Sequence, residues 1–183
     1  MMNQENRFAD YREIVAFHGH SCPGLAMGWR MARAAMDFLV PGRSVDEELV
    51  AVVENNACGV DALQCLSGCT FGKGNLIFKD YGKMAYTIYS RTQGRGVRVV
   101  LDRKAIPEAV KKDRQGYVDW LLREERDDFL ALREVCDEAP PKARILDSLT
   151  CAECGEAVMA TRIREDGGRQ LCIPCYERLC GRD

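Results

Sequence analysis

The chain has 183 residues, of which 46% are hydrophobic and 30% are charged, and its net charge is -2. This is the composition of a soluble protein with a buried core, and it gives no overall attraction to nucleic acid or to an anionic membrane. The polar beginning and the lack of an apolar run of about 18 residues predict a cytoplasmic protein without membrane contact. In a reducing compartment, its ten cysteines favour metal binding or redox chemistry over disulfides.

The first two predicted elements are helices. The stretch "FADYREIVAFHGH" predicts a short helix that ends in a turn, and a second helix begins at Pro23 with Cys22 as its N-cap. Along this second helix apolar residues recur at helical spacing, and charged residues fall on another side. The apolar set is Leu25, Trp29, Ala32, Met36 and Leu39, and the charged set is Arg30, Arg33 and Asp37.

The middle of the chain predicts strands around one more helix. The β-branched run "LVAVVE" indicates a buried strand, and a helix follows from about Cys58 to Gly68. The runs "NLIFKDYG", "MAYTIYSR" and "GVRVVLD" indicate three further strands, and residues 116–136 favour helix. Grouped strands predict the α+β class, with an antiparallel or mixed sheet packed with helices and a small C-terminal zinc-binding finger. We assign the core to residues 1–136, a proline-containing linker to 137–150 and the finger to 151–183.

Four cysteines near the C-terminus have the spacing of a zinc site. Cys151, Cys154, Cys172 and Cys175 form two C-x2-C pairs with 17 residues between them, which fits a closed tetrahedral Zn2+ site of structural type. The "EDGG" turn and the helix expected after the second pair predict a treble-clef-like finger. Residues 151–183 carry five basic and six acidic side chains, so we expect the finger to dock to protein rather than to nucleic acid.

A second set of ligands lies in the core. His18, His20 and Cys22 alternate along the chain, and in an extended segment they would face one way. Cys58 begins another helix, and two converging helix N-termini favour a thiolate-bound transition metal or a small anionic ligand. Cys69 can add a ligand. The alternatives are structural, namely hydrogen-bonded histidines and small cysteines that only fill the core.

Three blocks of the sequence resemble the FmdE family, which takes its name from formylmethanofuran dehydrogenase. They are "FHGHSCPGLAMGWRMARAA", "ENNACGVDALQCLSGCTFGKGNL" and "DYGKMAYTIYSRTQGRGVRV". The resemblance implies an α+β core, commonly with a C-terminal zinc finger, and a link to methanogenic C1 metabolism. It also places Asp61 and Lys73 at motif positions, beside the histidines and cysteines named above. We expect any catalysis to involve Cys22, Cys58, Asp61 and Lys73.

Several functions remain open from the sequence. The first is a metalloprotein of C1 or molybdoenzyme metabolism, such as an accessory component of an oxidoreductase. The second is a regulatory or interaction module, with a ligand-sensing core and a finger for docking. A third, thiol redox chemistry between Cys22 and Cys58, lacks the C-x-x-C pair usual for such a mechanism. We expect a homodimer, which is the commonest oligomer of soluble proteins.

Overall fold

The computed structural model describes residues 11–39, 42–124 and 128–181. The chain forms two compact units, Met1–Ala143 and Arg144–Asp183. Within the described ranges, none of the helices has the length and apolar character needed to cross a membrane.

The first unit has four α-helices and five strands among its described residues, which confirms the predicted α+β class. The helices are α1 (Tyr11–His18), α2 (Pro23–Leu39), α3 (Gly59–Ser67) and α4 (Arg114–Arg123). The strands are β1 (Leu49–Val53), β2 (Leu76–Phe78), β3 (Ala85–Ser90), β4 (Arg95–Leu101) and β5 (Leu130–Val135). They form one mixed sheet in the order β2-β1-β3-β4-β5, in which only the β1–β2 pair is parallel.

The helices and the sheet enclose a single apolar core. Strand β1 is buried along its whole length, as expected from its continuous β-branched run. Helix α2 contacts α3, α4 and β4, so it is the central helix of the unit. Its predicted apolar stripe is buried except at Trp29, which is half-buried against the core.

Arg30 departs from the sequence prediction for α2. It was expected on the charged side of the helix, but it is buried. Its guanidinium donates to the backbone carbonyls of Leu121 (2.7 Å) and Glu124 and lies 5.1 Å from the ring centre of Phe129. The apolar stem of an arginine can be buried where its charged end finds carbonyl acceptors and an aromatic face, and here it ties α2 to the end of α4.

The prediction of helix over residues 116–136 is right for the first half and wrong for the second. Helix α4 ends at Arg123, and β5 pairs antiparallel with β4 from Leu130 to Val135. Most of β5 is exposed because it is the outermost strand of the sheet. An exposed edge strand has no alternation of apolar and polar residues, so its sequence resembles that of a solvated helix.

The second unit is a small zinc-finger fold. It contains the hairpins β6 (Ser148–Thr150) with β7 (Ala157–Met159) and β8 (Ile163–Asp166) with β9 (Arg169–Cys172), followed by α5 (Ile173–Cys180). Gly167 and Gly168 both have positive φ, 55° and 81°, as a two-residue hairpin turn requires, and they occupy the predicted "EDGG" turn. Strand β6 lies within the segment that the sequence predicts to be a linker.

Candidate metal centre

Three side chains from different elements meet at one point of the first unit. A ring nitrogen of His18 and the sulfur atoms of Cys22 and Cys58 all lie within 4.8 Å of one another. Cys22 is buried, and the other two are half-buried. We call these three residues the core site. Two thiols and an imidazole are soft ligands of the kind that transition metals prefer.

The two cysteines are held by the beginnings of two helices. Cys22 precedes α2, and its sulfur accepts a hydrogen bond from the backbone N–H of Leu25 (3.3 Å), so its predicted role as N-cap is confirmed. Cys58 precedes α3 but makes no side-chain capping bond. The partial positive charge of a helix N-terminus stabilises a thiolate, so both positions favour the ligand form of cysteine.

His18 is oriented by a carboxylate. It is the last residue of α1, and Gly19 follows with a φ of 95°, which turns the chain towards Cys22. Its Nδ1 lies 2.6 Å from Oδ2 of Asp61, whose other oxygen accepts from Nε2 of Gln64 at 3.2 Å. With Nδ1 bonded to a carboxylate, Nε2 of His18 carries the lone pair, and it is buried without a partner among the described residues.

The thiol of Cys58 is protonated in the absence of a metal. Burial raises its pKa, and the neighbouring Cys22 raises it further through a hydrogen bond and its charge. A metal ion would have to displace this proton, because the ligand form of cysteine is the thiolate. The orphaned Nε2, the two adjacent sulfur atoms and the Asp61–His18 pair fit a transition metal with three protein ligands. Such a site leaves a fourth position open, as catalytic zinc sites do.

The other residues predicted for this site lie elsewhere. His20 is exposed, with its ring centre 4.6 Å from that of His18. The idea that both histidines and Cys22 face one way along an extended segment is wrong, because His18 belongs to a helix. Cys69 and Lys73 follow the far end of α3, whose nine residues span roughly 14 Å.

Cys69 and Lys73 have local contacts of their own. Cys69 is fully buried, and burial raises its pKa to about 11, as for a thiol that packs in the core. The amino group of Lys73 donates to the carbonyls of Asp46 (3.0 Å) and Val45 (3.3 Å). It therefore holds the loop before β1.

A close helix contact and a buried tyrosine border the core site, and neither was singled out from the sequence. A Cβ atom built on Gly28 of α2 would lie 2.1 Å from Cα of Gly59 in α3, so the two backbones touch. A Cβ atom on Gly59 would lie 2.6 Å from the hydroxyl of Tyr86 in β3. The signals were a glycine in the apolar stripe of a helix and a hydroxyl in a strand predicted to be buried.

The second unit holds the other cysteine cluster. The sulfur atoms of Cys151, Cys154, Cys172 and Cys175 all lie within 4.8 Å of one another. Cys154 and Cys172 are 3.9 Å apart, close to the roughly 3.8 Å between sulfurs of a tetrahedral zinc site with Zn–S bonds of about 2.3 Å. Backbone N–H groups of Cys154 and Cys172 lower the pKa of Cys151 to about 6. The cluster fits the closed, four-thiolate structural site predicted from the spacing.

Comparison with known proteins agrees with these two units. The family model described as "FmdE, Molybdenum formylmethanofuran dehydrogenase operon" matches residues 17–138, well over half of the chain. The chain belongs to the FmdE family. A second family model, the prokaryotic dksA/traR C4-type zinc finger, matches residues 144–179, so the predicted zinc finger is confirmed.

Two relatives extend over most of this FmdE-family chain. A crystal structure of an FmdE-like protein of the tungsten formylmethanofuran dehydrogenase type, from Syntrophus aciditrophicus, is 32% identical, with a TM-score of 0.68 and 92% coverage of both chains. A probable S-adenosyl-L-methionine-binding protein of Archaeoglobus fulgidus is 32% identical over 197 aligned positions, which cover 91% of this chain. The chain spans about half (53%) of the length of that curated relative.

Proposed function

We propose that the first unit binds a transition metal through His18, Cys22 and Cys58 and presents it to a small ligand. The observation that carries this proposal is the buried, unpartnered Nε2 of His18 beside two thiols. Burying a nitrogen lone pair without a hydrogen bond is unfavourable, and a metal ion removes that cost. Zn2+ suits this set of ligands best, since it combines thiolates with imidazole readily.

The two metal sites have different roles in this proposal. Four thiolates close the coordination sphere of the finger, so its zinc stabilises a fold with too few residues for a large core. Three ligands in the core site leave room for a reacting or sensed group. The His18–Asp61 pair further supports function, because carboxylates that orient a ligating histidine raise its basicity and tune the metal.

Metal analysis of cysteine variants tests the core site. The purified protein should hold two metal ions per chain, and Cys58→Ala should hold one. Cys58 is the better residue to change because its side chain caps no helix, whereas the sulfur of Cys22 caps α2. Cys136→Ala is the matched control, since Cys136 is exposed and stands in neither cluster. Equal metal content in Cys58→Ala and the control would refute the proposal.

We assign the protein an accessory role in C1 or molybdoenzyme metabolism. The family description, which refers to an operon of molybdenum formylmethanofuran dehydrogenase, supports this assignment. A tagged chain should retain a molybdenum or tungsten pterin enzyme in extracts of its own organism. The Cys58→Ala variant should lose that enzyme if the metal site takes part in the contact. Retention of no such enzyme by either chain would contradict this role.

The name of the archaeal relative suggests a second candidate for the ligand, S-adenosyl-L-methionine. It is favoured by 32% identity that extends over 91% of this chain. Calorimetric titration of the metal-loaded chain with S-adenosyl-L-methionine tests it, with S-adenosyl-L-homocysteine as the comparison. No heat of binding at a millimolar concentration of either compound would exclude this ligand.

The finger supports an additional role as a docking element for protein. Two of its arginines are engaged within the finger: Arg178 lies 3.3 Å from Glu153, and Arg169 lies 3.0 Å from Asp166. Exposed Met159 and Leu179 add apolar surface. With its arginines paired, the finger should bind a random DNA duplex no more tightly at 50 mM than at 200 mM salt in an anisotropy titration. A steep loss of affinity with salt would instead indicate binding to nucleic acid.

A further inference from the structure

Tyr86 places a phenol at the edge of the core site. It lies in the middle of the sheet, on β3, and its side chain is fully buried in the same core as α2 and α3. Its hydroxyl is so close to Gly59 that a methyl group there would lie 2.6 Å from it. Gly59 directly follows Cys58, so the hydroxyl points at the helix start that carries a ligand of the core site.

The hydroxyl of Tyr86 has no hydrogen-bond partner among the described residues. A buried tyrosine usually directs its hydroxyl to an acceptor. Tyr117 in the same core does so, since its hydroxyl lies 3.6 Å from the sulfur of Met27. In the described part of the chain only three buried side-chain atoms lack a partner, and His18 Nε2 and the Tyr86 hydroxyl, which both border Cys58, are two of them.

The surroundings of Tyr86 restrict it to the role of a donor. Burial raises the pKa of its hydroxyl, and the negative charges of Asp61 and Cys58 raise it further. The phenol therefore keeps its proton at neutral pH and can only donate it in a hydrogen bond. What it lacks is an acceptor atom, and the fourth position of the core site is where one can bind.

We propose that Tyr86 is a ligand-binding residue of the core site, whose hydroxyl donates a hydrogen bond to an oxygen atom of a small carboxylate held at the open position. The assignment rests on the metal-binding function proposed above. A carboxylate suits the site because one oxygen can bind a metal while the other accepts from the phenol. The two helix N-termini at Cys22 and Cys58 add a favourable field for an anion. The nearby charge of Asp61 is already shared between His18 and Gln64.

Cobalt substitution tests this assignment with acetate as the probe. The chain is prepared with one equivalent of zinc, which the finger retains, and Co2+ is added until the thiolate-to-cobalt absorption band saturates. Loss of the band in Cys58→Ala assigns it to the core site. Acetate is then titrated, and its Kd is read from the change in the cobalt spectrum. In the wild type we expect saturable binding, and in Tyr86→Phe about a tenfold weaker Kd at an unchanged affinity for Co2+.

Tyr117→Phe is the matched control, because it removes a buried phenol hydroxyl of the same core away from the site. It should leave the Kd for acetate unchanged. Without metal or acetate, Tyr86→Phe should melt no lower than the wild type, since the hydroxyl it removes has no partner to lose. A merely structural role of the hydroxyl would lower the melting temperature instead.

Each other outcome rejects a specific step. If Co2+ binds and acetate binds equally well to the wild type and to Tyr86→Phe, the role of Tyr86 is refuted and the metal site stands. If Co2+ binds and acetate leaves its spectrum unchanged, the carboxylate is refuted. If Co2+ gives no band that depends on Cys58, the proposed metal-binding function fails, and the assignment of Tyr86 fails with it.

Discussion

Replacement of Gly28 by alanine should separate the two helices that carry the cysteines of the core site. The added Cβ would lie 2.1 Å from Cα and 2.3 Å from the carbonyl oxygen of Gly59. Carbon atoms in contact are about 3.5–4.0 Å apart, so α2 and α3 would have to move apart by roughly 1.5 Å. No side chain can rotate to relieve this overlap, because both partners of the contact are backbone.

The expected loss of stability follows from two opposing contributions. Overpacking a core costs about 1–3 kcal/mol, and a clash between two backbones lies at the upper end of that range or above it. Alanine returns about 1 kcal/mol through its higher helix propensity. The free energy of unfolding should therefore fall by about 2 kcal/mol or more, and the melting temperature by roughly 8 °C for a unit of this size.

Urea unfolding followed by tryptophan fluorescence measures this change in the first unit alone, because both tryptophans of the chain, Trp29 and Trp120, lie there. Gly24→Ala is the matched control on the same helix. Its Cβ would meet Cβ of Cys58 at 3.5 Å, an ordinary contact, so its stability should stay within about 1 kcal/mol of the wild type. A Gly28→Ala protein as stable as the Gly24→Ala protein would refute the reasoning.

Three further predictions concern the metal sites and one loop. Asp61→Asn should weaken core-site affinity for Zn2+ by about 10- to 100-fold, measured against a chromophoric chelator, because the amide cannot hold His18 in the ligating tautomer equally well. Stripping zinc with a strong chelator, or Cys151→Ser, should make residues 144–181 the preferred site of limited proteolysis, because the metal supplies the folding energy of the finger. The loop before β1 should respond to acid: hydrogen bonds from Ser44 and from backbone N–H groups lower the pKa of Glu48 to about 2. A carboxyl whose pKa is lower in the folded than in the unfolded state stabilises the fold above its ordinary pKa of about 4.5, so the stability difference between the wild type and Glu48→Gln should shrink as the pH falls from about 4.5 towards 2.

Controls and contrary results for these predictions come from the same chain. Asp37→Asn changes an exposed carboxylate that pairs with Arg33 on α2, and it should leave the core-site affinity unchanged. Equal affinity in Asp61→Asn and Asp37→Asn would show that the carboxylate does not support the metal. Proteolysis of zinc-free protein mainly in the first unit would contradict the role given to the finger zinc. A stability difference for Glu48→Gln that is constant from pH 6 to pH 2 would contradict the hydrogen-bonded carboxylate.

The parts of the molecule that follow from local rules could be predicted from the sequence. Proline at the first helical position and a cysteine before it fix the start of α2 and the cap at Cys22. The spacing of two C-x2-C pairs gives the finger ligands, since each pair can supply two sulfurs to one ion. The convergence of Cys22 and Cys58 was predictable because both begin helices that flank β1.

The parts that depend on tertiary contacts were missed or misplaced. The position of Arg30 depends on the carbonyls at the end of α4, which lie more than 90 residues further along the chain. The participation of Tyr86 depends on the pairing of β1 with β3, which sets its hydroxyl against α3. Motif membership grouped Lys73 with the cysteines, whereas the length of α3 separates them.

The outermost strand of the sheet has a consequence for assembly. An edge strand offers unpaired backbone groups to a second chain, and charged side chains on it discourage such pairing. Strand β5 is the last strand in the order and carries exposed Arg133 and Glu134, and Glu134 is bonded to Arg95 of β4 at 3.2 Å. Joining two copies edge to edge would bring these charges against their own counterparts. Self-association by a continuous sheet through β5 is therefore disfavoured, and the same charges guard the protein against growth into fibrils.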